Sequence, residues 1–228
     1  MRHINEERRQ LTFSKRKASK KYELTDETTE VDGDTLHRIR ALKDFGNVKA
    51  GDIGGWIESE DNLSQDGNCW VYEHAKVYWD AEVYGDAKVY GYANVHGRAK
   101  VYDNSKVCGS AHVFNSAKVF GNAEVYGVAF VHWNAKVYGN AKVYGSASVD
   151  GDAEAYGDAC VYGNAMMYGN SKVFGNAKVY DKANVSENAK VGGETHIFGK
   201  AWVHGDVTIE EELDICGNAD IKSAEDLK

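Results

Sequence analysis

His132 and Asp150 are the residues of this chain whose types could carry out acid–base chemistry together. An imidazole can accept a proton near neutral pH, and a neighbouring carboxylate can hold it in one orientation. The two residues are eighteen positions apart, so they meet only if the chain returns to the same place after eighteen residues. Whether they form a site therefore depends on the elements that carry them.

Other kinds of site have weaker support in the sequence. No serine or cysteine nucleophile accompanies a histidine elsewhere, and Gly54-Gly55 in "GDIGGW" is more typical of a turn than of a phosphate cradle. The four cysteines are widely spaced and form no CxxC pair, which indicates reduced residues in a cytoplasm-like compartment: Cys69, Cys108, Cys160 and Cys216. The sequence predicts no cofactor and no metal site.

A six-residue repeat runs through most of the chain, as in "GNAKVYGSASVDGDAEAYGDACVYGNAMMYGNSKVFGNAKVY". From Val71 to Ile221 every sixth residue is aliphatic except Ala155 and Met167, and a small residue usually stands two positions earlier. The four letters A-K-V-Y then alternate inward and outward, which predicts a short strand with one buried face. Gly-Asn, Gly-Asp or Gly-Ser in the other two positions predicts a tight corner after each strand. Identical strands joined by identical corners favour a coil of stacked parallel rungs over a helix or a hairpin array.

Composition and charge limit the partners. The chain has 228 residues, 43% apolar content and a net charge of −8. Much of the excess lies in residues 205–228, which hold eight acidic and two basic side chains; this tail disfavours nucleic acid and anionic membranes as partners. No apolar run is long enough to cross a membrane, and the charged N-terminus "MRHINEERRQLTFSKRKASKK" does not resemble a secretory signal. The sequence predicts a cytoplasmic protein.

The repeated phrase V-Y-G-N-A-K resembles the hexapeptide repeat of left-handed parallel β-helices. The segment "GDIGGWIESEDNLSQDGNCWV", residues 51–71, resembles the opening motif of the YdcK-like β-helix proteins of bacteria and phages, which are often labelled transferases. The resemblance covers roughly residues 40–221 and implies an all-β fold, a single-stranded left-handed parallel β-helix in which three hexads close one triangular coil. It also implies a phage or prophage origin. Here an aromatic residue, not Gly, follows the aliphatic one.

We expect four segments in the chain. Residues 1–21 form a flexible or helical arm, and residues 22–50 form a small N-terminal β cap around an Asp-Gly turn. Residues 51–221 form the β-helix, and residues 222–228 form a C-terminal tail.

Eighteen-residue coils sort the outward side chains onto three faces. The first face, on the strands of Val83, Val101 and Val119, and the second face, on those of Val89, Val107 and Val125, both present ladders of lysine and aromatic side chains. Such ladders stabilise a stack and keep an exposed sheet soluble. Single-stranded nucleic acid on these stripes is the alternative, and the acidic charge disfavours it.

The third face, on the strands of Val77, Val95 and Val113, lacks this pattern. Lysine is absent from its outward column after Lys76, and apolar or aromatic residues replace it. An aromatic surface depleted in charge is typical of a protein–protein contact, whereas scattered surface aromatics are the plainer interpretation. The predicted interface residues are Trp79, His96, His112, Phe114, Phe130, His132, Trp133, Met166, Tyr168, Trp202 and His204.

The sequence therefore predicts a non-catalytic β-helix scaffold or protein-binding protein that associates with itself or with another protein. The alternative is a hexapeptide-repeat acyltransferase using acyl-CoA. The resemblance gives His132 as its base, oriented by Asp150, because such enzymes use a histidine in a subunit cleft; a surface ion pair is the plainer interpretation of the two residues. Acyltransferases also carry long loops that help enclose the acyl donor, and no such loop interrupts the repeats.

Overall fold

The structure is a computed structural model that describes residues 20–228. Most of the predicted N-terminal arm lies outside the described residues. Its last residue, Lys21, is buried against the first coil, where its Nζ donates to the backbone carbonyl of Cys69 at 3.0 Å.

An antiparallel hairpin precedes the coils. Strand β1 (Tyr22–Val31) pairs with β2 (Asp34–Ala41). Asp32 and Gly33 between them have φ values of 53° and 94°, the left-handed conformations that a tight two-residue hairpin turn requires. Strand β3 (Ile53–Ile57) pairs antiparallel with β2 and parallel with the first repeat strand of the third face. The hairpin therefore extends the third-face sheet and covers its N-terminal edge.

Gly54 and Gly55 lie inside β3, so the predicted turn at these residues is wrong. They are needed because β3 lies tightly over the first coil. A Cβ on Gly54 would come within 2.6 Å of the carbonyl oxygen of Val71, and one on Gly55 within 2.6 Å of that of Ala75. No side chain fits at either position.

Twenty-six two-residue strands follow at six-residue spacing, and they form three parallel sheets with a repeat of eighteen residues. The first-face strands are Glu82–Val83, Lys100–Val101, Lys118–Val119, Lys136–Val137, Glu154–Ala155, Lys172–Val173, Lys190–Val191 and Thr208–Ile209. The second-face strands are Trp70–Val71, Lys88–Val89, Lys106–Val107, Glu124–Val125, Lys142–Val143, Cys160–Val161, Lys178–Val179, His196–Ile197 and Asp214–Ile215. The third-face strands are Lys76–Val77, Asn94–Val95, His112–Val113, Phe130–Val131, Ser148–Val149, Met166–Met167, Asn184–Val185, Trp202–Val203 and Asp220–Ile221.

The predicted parallel β-solenoid is confirmed, with about nine turns, while its handedness stays a prediction. The inward Ala and Val columns form one continuous core, and nearly all of their members are fully buried. The strands are shorter than the predicted four-residue runs, and a two-residue turn separates each strand from the next. Backbone hydrogen bonds still link each coil to the next, as from Lys76 N to Ala93 O at 2.9 Å and from Tyr78 N to Val95 O at 3.1 Å.

The two ends differ. Two short 3-10 helices, Glu60–Asn62 and Ala224–Leu227, lie near the first and last coils. The last strands on two faces present Asp214 and Asp220, and charged side chains at an open edge discourage further strand pairing. Within residues 20–228, no helix has the length and apolarity needed to span a membrane.

Candidate functional site

Exposed apolar side chains concentrate on the third face and its two flanking corners. Nine large hydrophobic side chains are exposed among residues 20–228, and seven belong to this region: Tyr92 and Val128 on the preceding corner, Phe130, Met166 and Trp202 on the face, and Trp79 and Trp133 on the following corner. The other two, Leu42 and Ile53, lie in the N-terminal region. The strands of the first and second faces contribute none of the nine.

Four rings form a continuous stack on the N-terminal half of the third face. Tyr78 stacks on His96 with ring centroids 4.9 Å apart, His96 on Phe114 at 5.0 Å, and Phe114 on His132 at 4.8 Å. In the neighbouring column His112 stacks on Phe130 at 5.2 Å. Five of the predicted interface residues therefore already pack against one another within the chain.

His132 and Asp150 come together as the eighteen-residue spacing requires. The Nε2 atom of His132 lies 3.7 Å from Oδ2 of Asp150 and 3.4 Å from the hydroxyl of Ser148. A nucleophilic triad needs the carboxylate on one ring nitrogen and the hydroxyl on the other. Here both approach the same nitrogen, so the three residues do not form such a triad.

Burial shifts these groups toward their neutral forms. It lowers the pKa of His132, although Asp150 opposes the shift, and it raises the pKa of Asp150 against the opposing effect of His132. Burial also lowers the pKa of His96, with a further lowering from His112, and burial lowers the pKa of His112 itself. Near pH 7 the three imidazoles are thus neutral rings, which suits an apolar contact surface.

Acidification is expected to destabilise this face. Because the folded pKa values of the three histidines lie below the unfolded value of about 6.5, the unfolded chain binds more protons as the pH falls through this range. The free energy of unfolding should therefore fall between about pH 7.5 and 5.5, by no more than about 1.4 kcal/mol per pH unit for each histidine. Urea denaturation at both pH values measures the change.

A matched variant isolates the imidazoles. His96→Phe combined with His132→Phe keeps the ring stack and removes two titrating groups, so we expect its stability to depend less on pH than that of the wild type. An unchanged pH dependence in the variant would contradict the assignment to these histidines.

The C-terminal half of the face is held by polar contacts. His204 is only 8% exposed, lies flat against Trp202 with a centroid distance of 4.1 Å, and has its Nε2 2.7 Å from Oδ1 of Asp220. Trp202 donates its indole N–H to the hydroxyl of Ser186 at 2.7 Å. Tyr168 is half-buried beside the exposed Met166. The indole of Trp202 is therefore fixed, yet its side chain remains 38% exposed.

Trp79 and Trp133 lie at the first corner position after the third face, where the chain requires positive φ. Their φ values are 56° and 58°, a conformation that is strained for a bulky side chain and that Gly adopts freely. The coils between them have Gly97 and Asn115 at this position. Turn formation does not account for tryptophan at these two strained positions.

Four of the nine lysines on the first-face and second-face strands form ion pairs with carboxylates of a neighbouring coil. Lys100 binds Glu82 at 2.9 Å, and Lys136 binds Glu154 at 3.0 Å, each across one coil. On the second face Lys106 binds Glu124 at 2.7 Å. Carboxylates thus neutralise part of each lysine ladder, an arrangement that suits a stabilised surface better than a phosphate-binding stripe.

Sequence reasoning missed several residues near the third face. Tyr92 and Val128 were overlooked because they lie on the preceding corner, although both replace the usual Asn, Asp or Ser. Asp34 was missed because its contact with Trp79 depends on where the hairpin folds. Among the described residues no cluster of three or more His, Cys, Asp or Glu could hold a metal ion.

Comparison with known proteins yields one short similarity. No family model matches the chain. A curated protein of Escherichia coli (strain K12), named uncharacterized acetyltransferase YdcK, is 48% identical over 42 residues. The match covers 18% of this chain and 13% of that protein. The chain is a hexapeptide-repeat β-solenoid. Both the repeat geometry and the short match fit this class.

Proposed function

We propose that this solenoid is a non-catalytic rigid scaffold that associates with a second copy of itself through the third face. The observation that carries the proposal is the concentration of exposed apolar side chains on one of three otherwise similar faces. Phe130, Met166 and Trp202 lie in its outward column, where they alternate with His112, Ser148 and Asn184, and are 40%, 47% and 38% exposed. On the other two faces lysine is the commonest residue in that column.

The dimensions of the face suit a stable dimer. Eight strands from Lys76–Val77 to Trp202–Val203 span about 35 Å at the usual strand spacing, and one side of a coil is at most about 20 Å wide. The surface is therefore on the order of 700 Å² per chain, near the roughly 800 Å² per partner of a standard-size interface. Pairing of two identical flat strips around a two-fold axis also closes without leaving an open end.

Introduction of lysine into the outward column of the third face should break the association. The double variant Phe130→Lys, Trp202→Lys places two charges in the apolar column, and truncation of such aromatic anchors typically costs about 2 kcal/mol or more in binding. We expect the fold to persist and the molecular mass in solution to fall from that of a dimer to that of a monomer. Light scattering coupled to size-exclusion chromatography measures both species.

Lys118→Gln combined with Lys190→Gln is the matched control. These lysines are exposed on the first face and, like the test pair, are four coils apart, so the control variant should remain a dimer. A wild-type protein that is monomeric at concentrations well above the micromolar range would contradict self-association. The same face would then be assigned to a different protein partner, whose binding the lysine variant should abolish.

An acyltransferase that uses acyl-CoA is the second candidate. It is supported by the name of the 42-residue match and by the resemblance that gives His132 as a base. The shared approach of Ser148 and Asp150 to one nitrogen of His132 argues against nucleophilic catalysis, but it does not affect direct general-base chemistry. Release of free thiol from acetyl-CoA by the wild type, lost in His132→Ala, would favour this candidate over the scaffold. The phage origin remains part of the resemblance.

A further inference from the structure

We propose that the groove between Trp79 and Trp133 binds an extended, neutral, β-1,4-linked oligosaccharide. The groove has a volume of about 650 Å³ and runs along the corner that follows the third face. Its lining contains no member of the apolar column Phe130, Met166 and Trp202. A variant that changes Phe130 and Trp202 therefore keeps the groove and tests this proposal apart from self-association.

The walls of the groove are two tryptophans in an unfavourable backbone conformation. The other described non-Gly residues with positive φ are all Asp, Asn or Glu, whose short or flexible polar side chains suit turns. Trp79 and Trp133 are 44% and 60% exposed, so burial does not compensate for the strain. An indole exposed at each end of a groove offers a flat apolar surface on which the C–H face of a sugar ring can stack.

Trp79 is fixed in place before any ligand binds. Its indole N–H donates to Oδ2 of Asp34 at 2.8 Å, and its backbone N–H donates to Oε2 of Glu58 at 2.6 Å. Its ring also packs edge-on against His96 at 5.3 Å. Because the hairpin and the third face contact its ring and Glu58 binds its backbone, Trp79 loses little freedom on binding, which favours affinity.

The floor of the groove is polar. It contains the side chains of Arg98, Asn115 and Ser116, with Asp80 and Asn134 at its ends. Among residues 20–228, the guanidinium of Arg98, the carboxylate of Asp80 and the hydroxyl of Ser116 have no hydrogen-bond or ion-pair partner. One positive and one negative charge leave the groove neutral overall. Free donors and acceptors between two aromatic walls match a ligand rich in hydroxyl groups and suit neither a polyanionic nucleic acid nor an apolar peptide.

The spacing of the coils determines which shape of ligand fits the groove. Trp79 and Trp133 are three coils apart, about 14 Å at the usual strand spacing. One coil step is close to the length of one sugar residue in an extended chain, so sugars stacked on the two indoles would be three residues apart in the chain, with two residues between them. The corner positions repeat every eighteen residues with no slip in register, so a glycan that follows them must be extended. β-1,4 linkages give such a ribbon, whereas α-1,4 linkages coil.

The test uses three hexasaccharides with the full-length protein: chitohexaose and cellohexaose as extended probes, and maltohexaose as the coiled control. We expect saturation-transfer NMR and tryptophan fluorescence to detect binding of at least one extended probe and no comparable binding of maltohexaose. Trp79→Gly combined with Trp133→Gly should weaken this binding by about tenfold or more, since two ring contacts are lost. Both changes introduce the residue type that four other coils have at this step, namely Gly97, Gly151, Gly169 and Gly205, so the variant should fold.

The lysine variant of Phe130 and Trp202 keeps the groove and should bind the extended probe as the wild type does, even where it is monomeric. Absence of binding for both extended probes at millimolar concentration would overturn the proposal. Equal binding of maltohexaose, or binding unaffected by the glycine substitutions, would overturn it as well.

Discussion

Replacement of Val143 by aspartate is expected to abolish cooperative folding. Val143 is fully buried in the middle of the stack, in a core lined by Ala and Val side chains. An unpaired carboxylate there costs at least about 4 kcal/mol, a large part of the 5–15 kcal/mol that stabilises a typical domain. Because each coil packs on its neighbours, the damage should spread along the solenoid. Circular dichroism during urea denaturation should show a strongly lowered midpoint or no folded baseline.

The two residues that flank Val143 provide the control. Lys142 is exposed, and Tyr144 points outward in a ring stack with Tyr126 and Tyr162 at 4.8 Å each. Aspartate at Lys142 should change the midpoint little, and aspartate at Tyr144 should cost only the ring contacts. Equal damage at Val143 and Lys142 would contradict the in-and-out alternation as the source of stability.

Addition of one methyl group at Gly67 is expected to be far more harmful than the same addition at Gly217. Both glycines have a φ of 68°, so Gly→Ala carries the same backbone strain of about 1–2 kcal/mol at each position. A Cβ added at Gly67 would come within 2.3 Å of the carbonyl oxygen of Gly85 in the next coil, whereas at Gly217 nothing lies within 4 Å. Displacement of that coil should add about 1–3 kcal/mol for Gly67→Ala alone.

The shift in the urea midpoint for the two alanine variants measures this difference directly. The positions also match in setting, since each lies in a terminal coil of the solenoid. Equal losses would show that backbone strain, and not the close approach of successive coils, requires Gly at the corners.

The sequence by itself determined the repeat, the inward columns and the position of the corners. These follow from local physics, because a valine every sixth residue and a residue tolerant of positive φ after each strand restrict the chain in the same way in every hexad. The eighteen-residue coil came from the resemblance, and it brought His132 and Asp150 to within 3.7 Å, as expected. The third face could likewise be identified as unusual from the loss of lysine in one column.

Only the tertiary structure decided how the ends and the corners are used. Gly54 and Gly55 were expected in a turn but lie within β3, because close packing of β3 over the first coil is a contact between distant segments that the local sequence does not encode. The groove between Trp79 and Trp133 also depends on contacts between segments that are distant in the sequence. Its walls come from residues 54 positions apart, and Asp34 of the hairpin fixes one of them. A repeat specifies the coil, whereas contacts between elements that do not repeat specify what the coil presents to a partner.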